Sequence, residues 1–247
     1  MHVPVVAGVI ARRLLVNYRV EPDVLARHLP APFRPQLVGE WGVAGICLIG
    51  MRAIRPRGIP AAFGLSSENA AHRIAVEWDD DGTTRCGVFI PRRDTSSRVN
   101  VAIGGRVFPG LHHRAQFSVR DDGDRIAVSL ASEDGLTRVA VEGRVTATLP
   151  ADSVFGSLAA ASTFFERGAL GYSVGRRPGV YDGLELRTTD WEVSPVEIDR
   201  VASTFFDDRA AFLPGSIAFD CALLMRDIAH EWHARGTLTA GTIARAG

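Results

Sequence analysis

The 247-residue chain contains no lysine; all 28 of its basic residues are arginine. An imine with a carbonyl substrate needs a side-chain amine, so lysine Schiff-base chemistry is excluded. Any bound phosphate or carboxylate must be held by planar guanidinium groups or backbone N–H groups. Cysteine is scarce as well. Cys47, Cys86 and Cys221 are isolated, odd in number and without a CxxC pair, which argues against a disulfide framework or a cysteine zinc site. Net charge is absent, because 28 acidic residues balance the arginines. No field of one sign exists to draw in nucleic acid or an anionic membrane. No run reaches the ~18 apolar residues of a membrane span. The apolar start, Met1 to Ile10, carries neither a basic leader nor a small-residue cleavage site. These absences lead to the expectation of a reduced, cytoplasmic protein with no nucleic-acid or membrane partner.

What is present is an ordinary globular balance, 46% apolar and 23% charged residues. A chain of this length buries enough surface to need no metal or disulfide staple. Strand signals dominate. Apolar or alternating runs cover Leu14–Val20, Gly42–Ile54, Arg73–Trp78, Arg85–Ile90, His113–Val119, Arg125–Leu130, Leu136–Thr148, Leu184–Trp191, Val196–Phe205 and Ser216–Ile228. Asp79-Asp-Asp-Gly82 and Arg120-Asp-Asp-Gly-Asp124 read as hairpin turns between such runs. Helical patterns are few: Pro22–Leu29, Ser96–Val107, and a segment capped by Asp152 that runs through Phe165. No repeat or low-complexity linker divides the chain. The expected fold is α+β, a single domain over residues 1–247 with a large, curved, mostly antiparallel sheet and a few peripheral helices.

Four clusters carry candidate chemistry. Pro91–Arg98 follows a strand and reads as a loop that opens a helix, where free N–H groups and Arg92, Arg93 and Arg98 favour an anion. It also holds Asp94 and Ser97, and the bland alternative is a solvated charge cluster. Ser66–Arg73 leads into a strand, so Asn69, Ala71, Arg73 and Ala75 share one face, and Glu68, Ala70, His72 and Ile74 the other. His112 and His113 follow Pro109-Gly110 and point to opposite sides, so at most one faces a given pocket. His230-Glu231-Trp232-His233 lacks the i, i+4 spacing of HExxH, and its place late in the chain reads as exposed, so no metal site is expected. No nucleophile elbow or glycine-rich phosphate loop occurs, and no cofactor is expected.

The segment VNYRVEPDVLARHLPAPF within Leu14–Phe33 resembles the YqjF-like family of conserved proteins of unknown function, in the acetoacetate decarboxylase-like superfamily. Further similarity lies in Gly58-Ile-Pro60, Glu68–Arg73, Gly87–Phe89 with Asp94, Ser97 and Val99, Arg106-Val-Phe-Pro109 with Ala115, Trp191 with Pro195-Val196, and Asp220–Asp227 with His230. The similarity spans about residues 10–235. It implies a barrel-like antiparallel sheet around a central small-molecule cavity. The superfamily's decarboxylases use a lysine pair after the position of Gly87, where this chain has Arg92 to Arg98, so the resemblance carries over fold and pocket but not imine chemistry. The chain also departs from the family's Glu-x-Asn-x-Arg arrangement: aligned on Arg73, Asn69 and Ala71 stand where Glu and Asn would.

Three functions follow. In the first, the cavity takes an organic acid or other carbonyl metabolite, with Arg73, Arg92, Arg93, Arg98, Asn69 and Ser97 binding it. If the chain is an enzyme, Asp94 and His113 do acid–base work in a non-covalent decarboxylation, hydration or isomerisation. In the second, a non-catalytic binder or sensor holds an apolar metabolite through Phe63, Phe89, Phe108, Phe117 and Trp41. In the third, the chain is a protein-interaction module. A homo-oligomer is compatible with each.

Overall fold

In the computed structural model, which describes residues 4–106 and 108–240, the alternating patterns become strands. They are β1 (Val6–Val20), β2 (Arg34–Pro35), β3 (Leu37–Val38), β4 (Trp41–Pro56), β5 (Leu65–Asp80), β6 (Thr83–Thr95), β7 (His113–Asp121), β8 (Arg125–Ser132), β9 (Arg138–Val145), β10 (Leu170–Val174), β11 (Val180–Thr188), β12 (Ser194–Ser203) and β13 (Ile217–Thr239). The α-helices among the described residues are α1 (Pro22–Ala26), α2 (Arg98–Ile103) and α3 (Leu158–Arg167). Residues 1–3 of the apolar start, and Val107 at the end of the predicted second helix, lie outside the described residues.

The β5–β6 hairpin shows why the turn signal was legible. Asp81 and Gly82 both have positive φ, 47° and 76°, a type I′ geometry whose twist matches the flanking strands. Neighbours in the sheet run β11-β10-β6-β7-β8-β9-β12-β13-β1-β4-β5-β2, and further pairings join β6 to β5 and β11 to β13. The pairing thus returns on itself in one large, curved, barrel-like sheet. β6 pairs in parallel with β10 and β7. The other ladders are antiparallel.

The strands β1, β4, β5 and β13 form a wall buried on both sides, so period-two alternation feeds two cores rather than one. Leu14, Val16, Ile46, Leu48, Ile74 and Leu224 enter the first. Ile10, Leu15, Cys47, Ile49, Leu223 and Met225 enter the second, beneath Ala161 and Phe165 of α3.

Several local expectations need correction. Asp152 does not cap the third helix. The chain turns at Gly156 (φ +67), Ser157 accepts from Ala160 N instead, and Asp152 pairs with Arg19 at 3.0 Å. Pro91–Thr95 is not a loop but the last part of β6, because Arg92, Arg93 and Asp94 still pair with His72, Ala71 and Ala70 of β5. The strand Leu170–Val174 carries no alternation long enough to read. His230–His233 is not exposed: β13 continues to Thr239 between β1 and β11, and His230 is buried.

Candidate functional site

β6 is paired with β5 along one edge, but its other edge changes partner. Val88–Ile90 bond to β10, and Asp94–Thr95 bond to β7. Pro91 stands at the changeover, has no N–H to donate, and coincides with a register shift against β5. The fork leaves an opening beside Arg93, and α2 crosses nearby. Here lies a cavity of about 110 Å³.

Its apolar wall includes Ile49, Met51, Ile103, Phe108, Leu184 and Trp232. Its polar side chains are Asn69, Arg93, Asn100 and His112, while Asp94 borders it through backbone only, its carboxylate sealed on the other side of β6. Arg93 Nε donates to Ser173 Oγ at 2.8 Å. Its two terminal nitrogens have no partner among the described residues, so the donor fork is left for a ligand. Burial lowers the guanidinium to about 10, and it stays cationic at neutral pH. Asp94 is fully buried and accepts from Arg92 Nη2 at 2.8 Å. Arg92 also reaches Asp134 at 2.8 Å, and Asp134 meets His113 Nδ1 at 3.2 Å. Burial raises the Asp94 carboxyl above its usual range despite the Arg92 contact.

The amide groups form a fixed network. Thr95 Oγ1 donates to Asn69 Oδ1 at 2.7 Å, and Asn69 Nδ2 donates to Ser67 Oγ at 2.9 Å. Asn100 Nδ2 reaches Thr95 Oγ1 at 3.3 Å.

His112 is the contributor that sequence reasoning left unresolved. Its Nδ1 lies 3.1 Å from Gly110 O, and a carbonyl only accepts, so Nδ1 carries the proton. Burial, with help from the Arg93 charge, lowers this imidazole to about 3. The ring is therefore neutral at physiological pH, with an Nε2 lone pair that has no partner among the described residues. The positive φ of Gly110, +84°, makes the turn that aims His112 inward and leaves its neighbour outside.

The structure brings together Asn69 and Arg93 among the predicted site residues, whereas Asp94 turns its carboxylate to the other side of β6. Arg92 stands behind Asp94 as its counter-ion. Ser97 caps α2 by accepting from Asn100 N, and Arg98 is exposed. His113 is outside the lining, half-exposed beside Asp134. Arg73 faces the second core, where its guanidinium stacks 4.8 Å from the Phe165 ring centroid. Of the aromatic set, Phe108 lines the cavity, Phe89 is core, and Phe63 is 75% exposed. The polar wall is thus one guanidinium with amides and an imidazole, not a ring of arginines. Among the described residues no group of three His, Cys, Asp or Glu could hold a metal ion. No helix among the described residues is long and apolar enough to cross a membrane.

Solved structures share this fold at low identity. The enduracididine biosynthesis enzyme MppR complexed with pyruvate is 14% identical, with a TM-score of 0.61 over 98% of this chain and 91% of that one. An acetoacetate decarboxylase-like enzyme from Sphingomonas wittichii RW1 is 14% identical, TM-score 0.61, covering 97% and 94%. Acetoacetate decarboxylase from Legionella pneumophila is 12% identical, TM-score 0.61, covering 95% and 88%. At these identities the likeness establishes the acetoacetate decarboxylase-like fold and nothing finer. No curated protein matches the chain. A family model does match, over residues 10–219, and the chain belongs to that family: DUF2071, uncharacterized conserved proteins.

Proposed function

We propose that the chain binds a small carboxylate-bearing or other carbonyl metabolite in the cavity beside β6. The carrying observation is Arg93, anchored by Ser173 through Nε and presenting its terminal donors to a largely apolar hollow. A guanidinium fork matches a carboxylate bidentately, and such a bond strengthens away from bulk water. The volume of about 110 Å³ suits a small acid rather than a drug-sized ligand. The description of MppR as complexed with pyruvate supports a ligand of this size class. His112 Nε2 would accept a hydrogen bond from the bound molecule, and Asn69 and Asn100 would fix its orientation. As an enzyme, the chain would work without an imine. The Asp94 carboxyl is sealed against Arg92 on the opposite side of β6, and His113 stands with it, so proton exchange in a decarboxylation, hydration or isomerisation would fall to His112 Nε2.

Thermal-shift titration with short carboxylic acids and their isosteric amides tests this reading. The acids should stabilise the protein, the amides should not, and Arg93→Met should weaken acid binding roughly 10- to 100-fold. If no acid raises the melting temperature, or Arg93→Met responds as the wild type does, the reading fails. The apolar wall favours a second reading, a binder of an uncharged apolar metabolite. Equal stabilisation by acid and amide would select it.

A further inference from the structure

Beneath α3, on the opposite side of the wall from the first core, two arginines meet without a carboxylate. Arg73 is 4% exposed; its Nη2 donates to Asn17 Oδ1, its face covers Phe165, and its Nε is sealed without a partner. Arg13 has only sulfur acceptors, Cys47 Sγ at 3.3 Å and Met225 Sδ at 4.0 Å, with its guanidinium 5.5 Å from the Trp191 ring centroid. Neither arginine makes an ion pair with Asp or Glu among the described residues. Both line a chamber of about 20 Å³ that Gln36, Gly87, Phe164 and Phe165 help to close. This chamber shares no lining residue with the cavity beside β6.

Unpaired buried charge is expensive, and proteins compensate it or do not bury it. Arg73 is buried and Arg13 half-buried, and the last turn of α3, which faces the chamber, supplies about half an elementary negative charge, less than the whole charge Arg73 alone carries. Burial pushes the Cys221 thiol up to about 12, so it adds no negative charge at neutral pH. Desolvation lowers Arg73 only to about 10, so it remains protonated at neutral pH. The chamber has room for a particle of about one water, too little for an organic acid.

We propose that this chamber is a halide site, with chloride held between the Arg13 and Arg73 guanidinium groups and completing the charge balance of the second core. The Arg73 Nη1 donors, unpartnered among the described residues, and the Gln36 side chain that lines the chamber are available to the ion. The site is structural and independent of the ligand bound at Arg93.

Thermal melting of the full chain at constant ionic strength, with chloride replacing gluconate, reads out the ion. At ten times the dissociation constant the melting temperature should rise by roughly 3–6 °C. Arg13→Met and Arg73→Met should each abolish the rise, whereas Arg93→Met should keep it. If Arg73→Met does not fold, Arg13→Met decides alone. A bromide-soaked crystal of the wild type should show an anomalous peak between the two guanidinium groups. Absence of both the chloride response and the bromide peak overturns the proposal. So does a thiolate absorbance at neutral pH that Cys47→Ser removes, because Cys47 would then supply the missing negative charge itself.

Discussion

Lowering the pH from 7 to 5 should cost the folded protein about 5 kcal/mol. Three histidines are buried as neutral rings. Desolvation lowers His72 to about 4, His112 to about 3 and His230 to about 4. In the unfolded chain each would titrate near ~6.5. Between those values the unfolded state binds more protons, so stability is present in full above about pH 6.5 and is lost as the pH falls toward the native values. At pH 5 each ring contributes a loss of about 2 kcal/mol by this linkage. The sum is comparable with the whole stability of a typical domain, roughly 5–15 kcal/mol. Asp94 works in the opposite sense, since burial favours its protonated form. Asp134 is held below the carboxylate range: burial opposes this, but bonds from Ser132, Leu136 N–H and Arg92 outweigh it, and its acid loss comes only below about pH 4. Urea midpoints at pH 7 and pH 5 check the prediction, and an unchanged midpoint would refute it. His72→Phe should remove about a third of the pH dependence, since its ring already packs 5.1 Å from Phe205.

Gly45→Val should destabilise the protein by about 3 kcal/mol or more, enough to reduce soluble folded material sharply. Gly45 lies opposite Asn17 in the β1–β4 ladder. A Cβ there would sit 2.3 Å from Val16 O and 3.2 Å from Asn17 Oδ1. The nearest atom is backbone, so no rotamer change relieves it. The wall would have to separate, and both cores share that wall. Gly39→Ala is the contrasting control. Its φ of +59° carries a strain cost of about 1 kcal/mol, but nothing lies within 4 Å of the added atom. Chemical denaturation of the two variants should rank Gly45→Val far below Gly39→Ala; equal midpoints would show that the β1–β4 contact is softer than drawn.

Most of the sheet was legible because its signals are local. Asp81-Gly82 sets a turn by its own backbone preference, and Arg138–Val145 alternates cleanly enough to reveal β9. The two-sided reading of Asn69–Ala75 was available from period two alone. It did not disclose that both sides would be covered, with Ala70 and Ile74 in one core and Ala71 and Ala75 in the other. What could not be read depends on distant partners. Pro91-Arg92-Arg93 looks like a loop by composition, and only pairing with His72 and Ala71 keeps it in a strand. Arg73 and Arg93 face the same side of adjacent strands, Arg93 opposite Ala71 and Arg73 two residues farther along, yet they line separate chambers spaced along the sheet. His112 and His113 both follow the turn at Gly110, but the first lines the cavity and the second, at the start of β7, sits beside Asp134.

The β1–β13 ladder, with Leu14 opposite Leu224, ties together residues more than two hundred positions apart. At a synthesis rate of about 5–20 residues per second, β4 reaches β1 within seconds, but β13 follows only after roughly 10–40 s. Through that interval a growing chain on the ribosome presents one oily edge without its mate. Such long-range closure is slow and invites sticking to other chains. Yield in a heterologous host should therefore respond more to holding chaperones and slower growth temperatures than to any change at the ligand cavity.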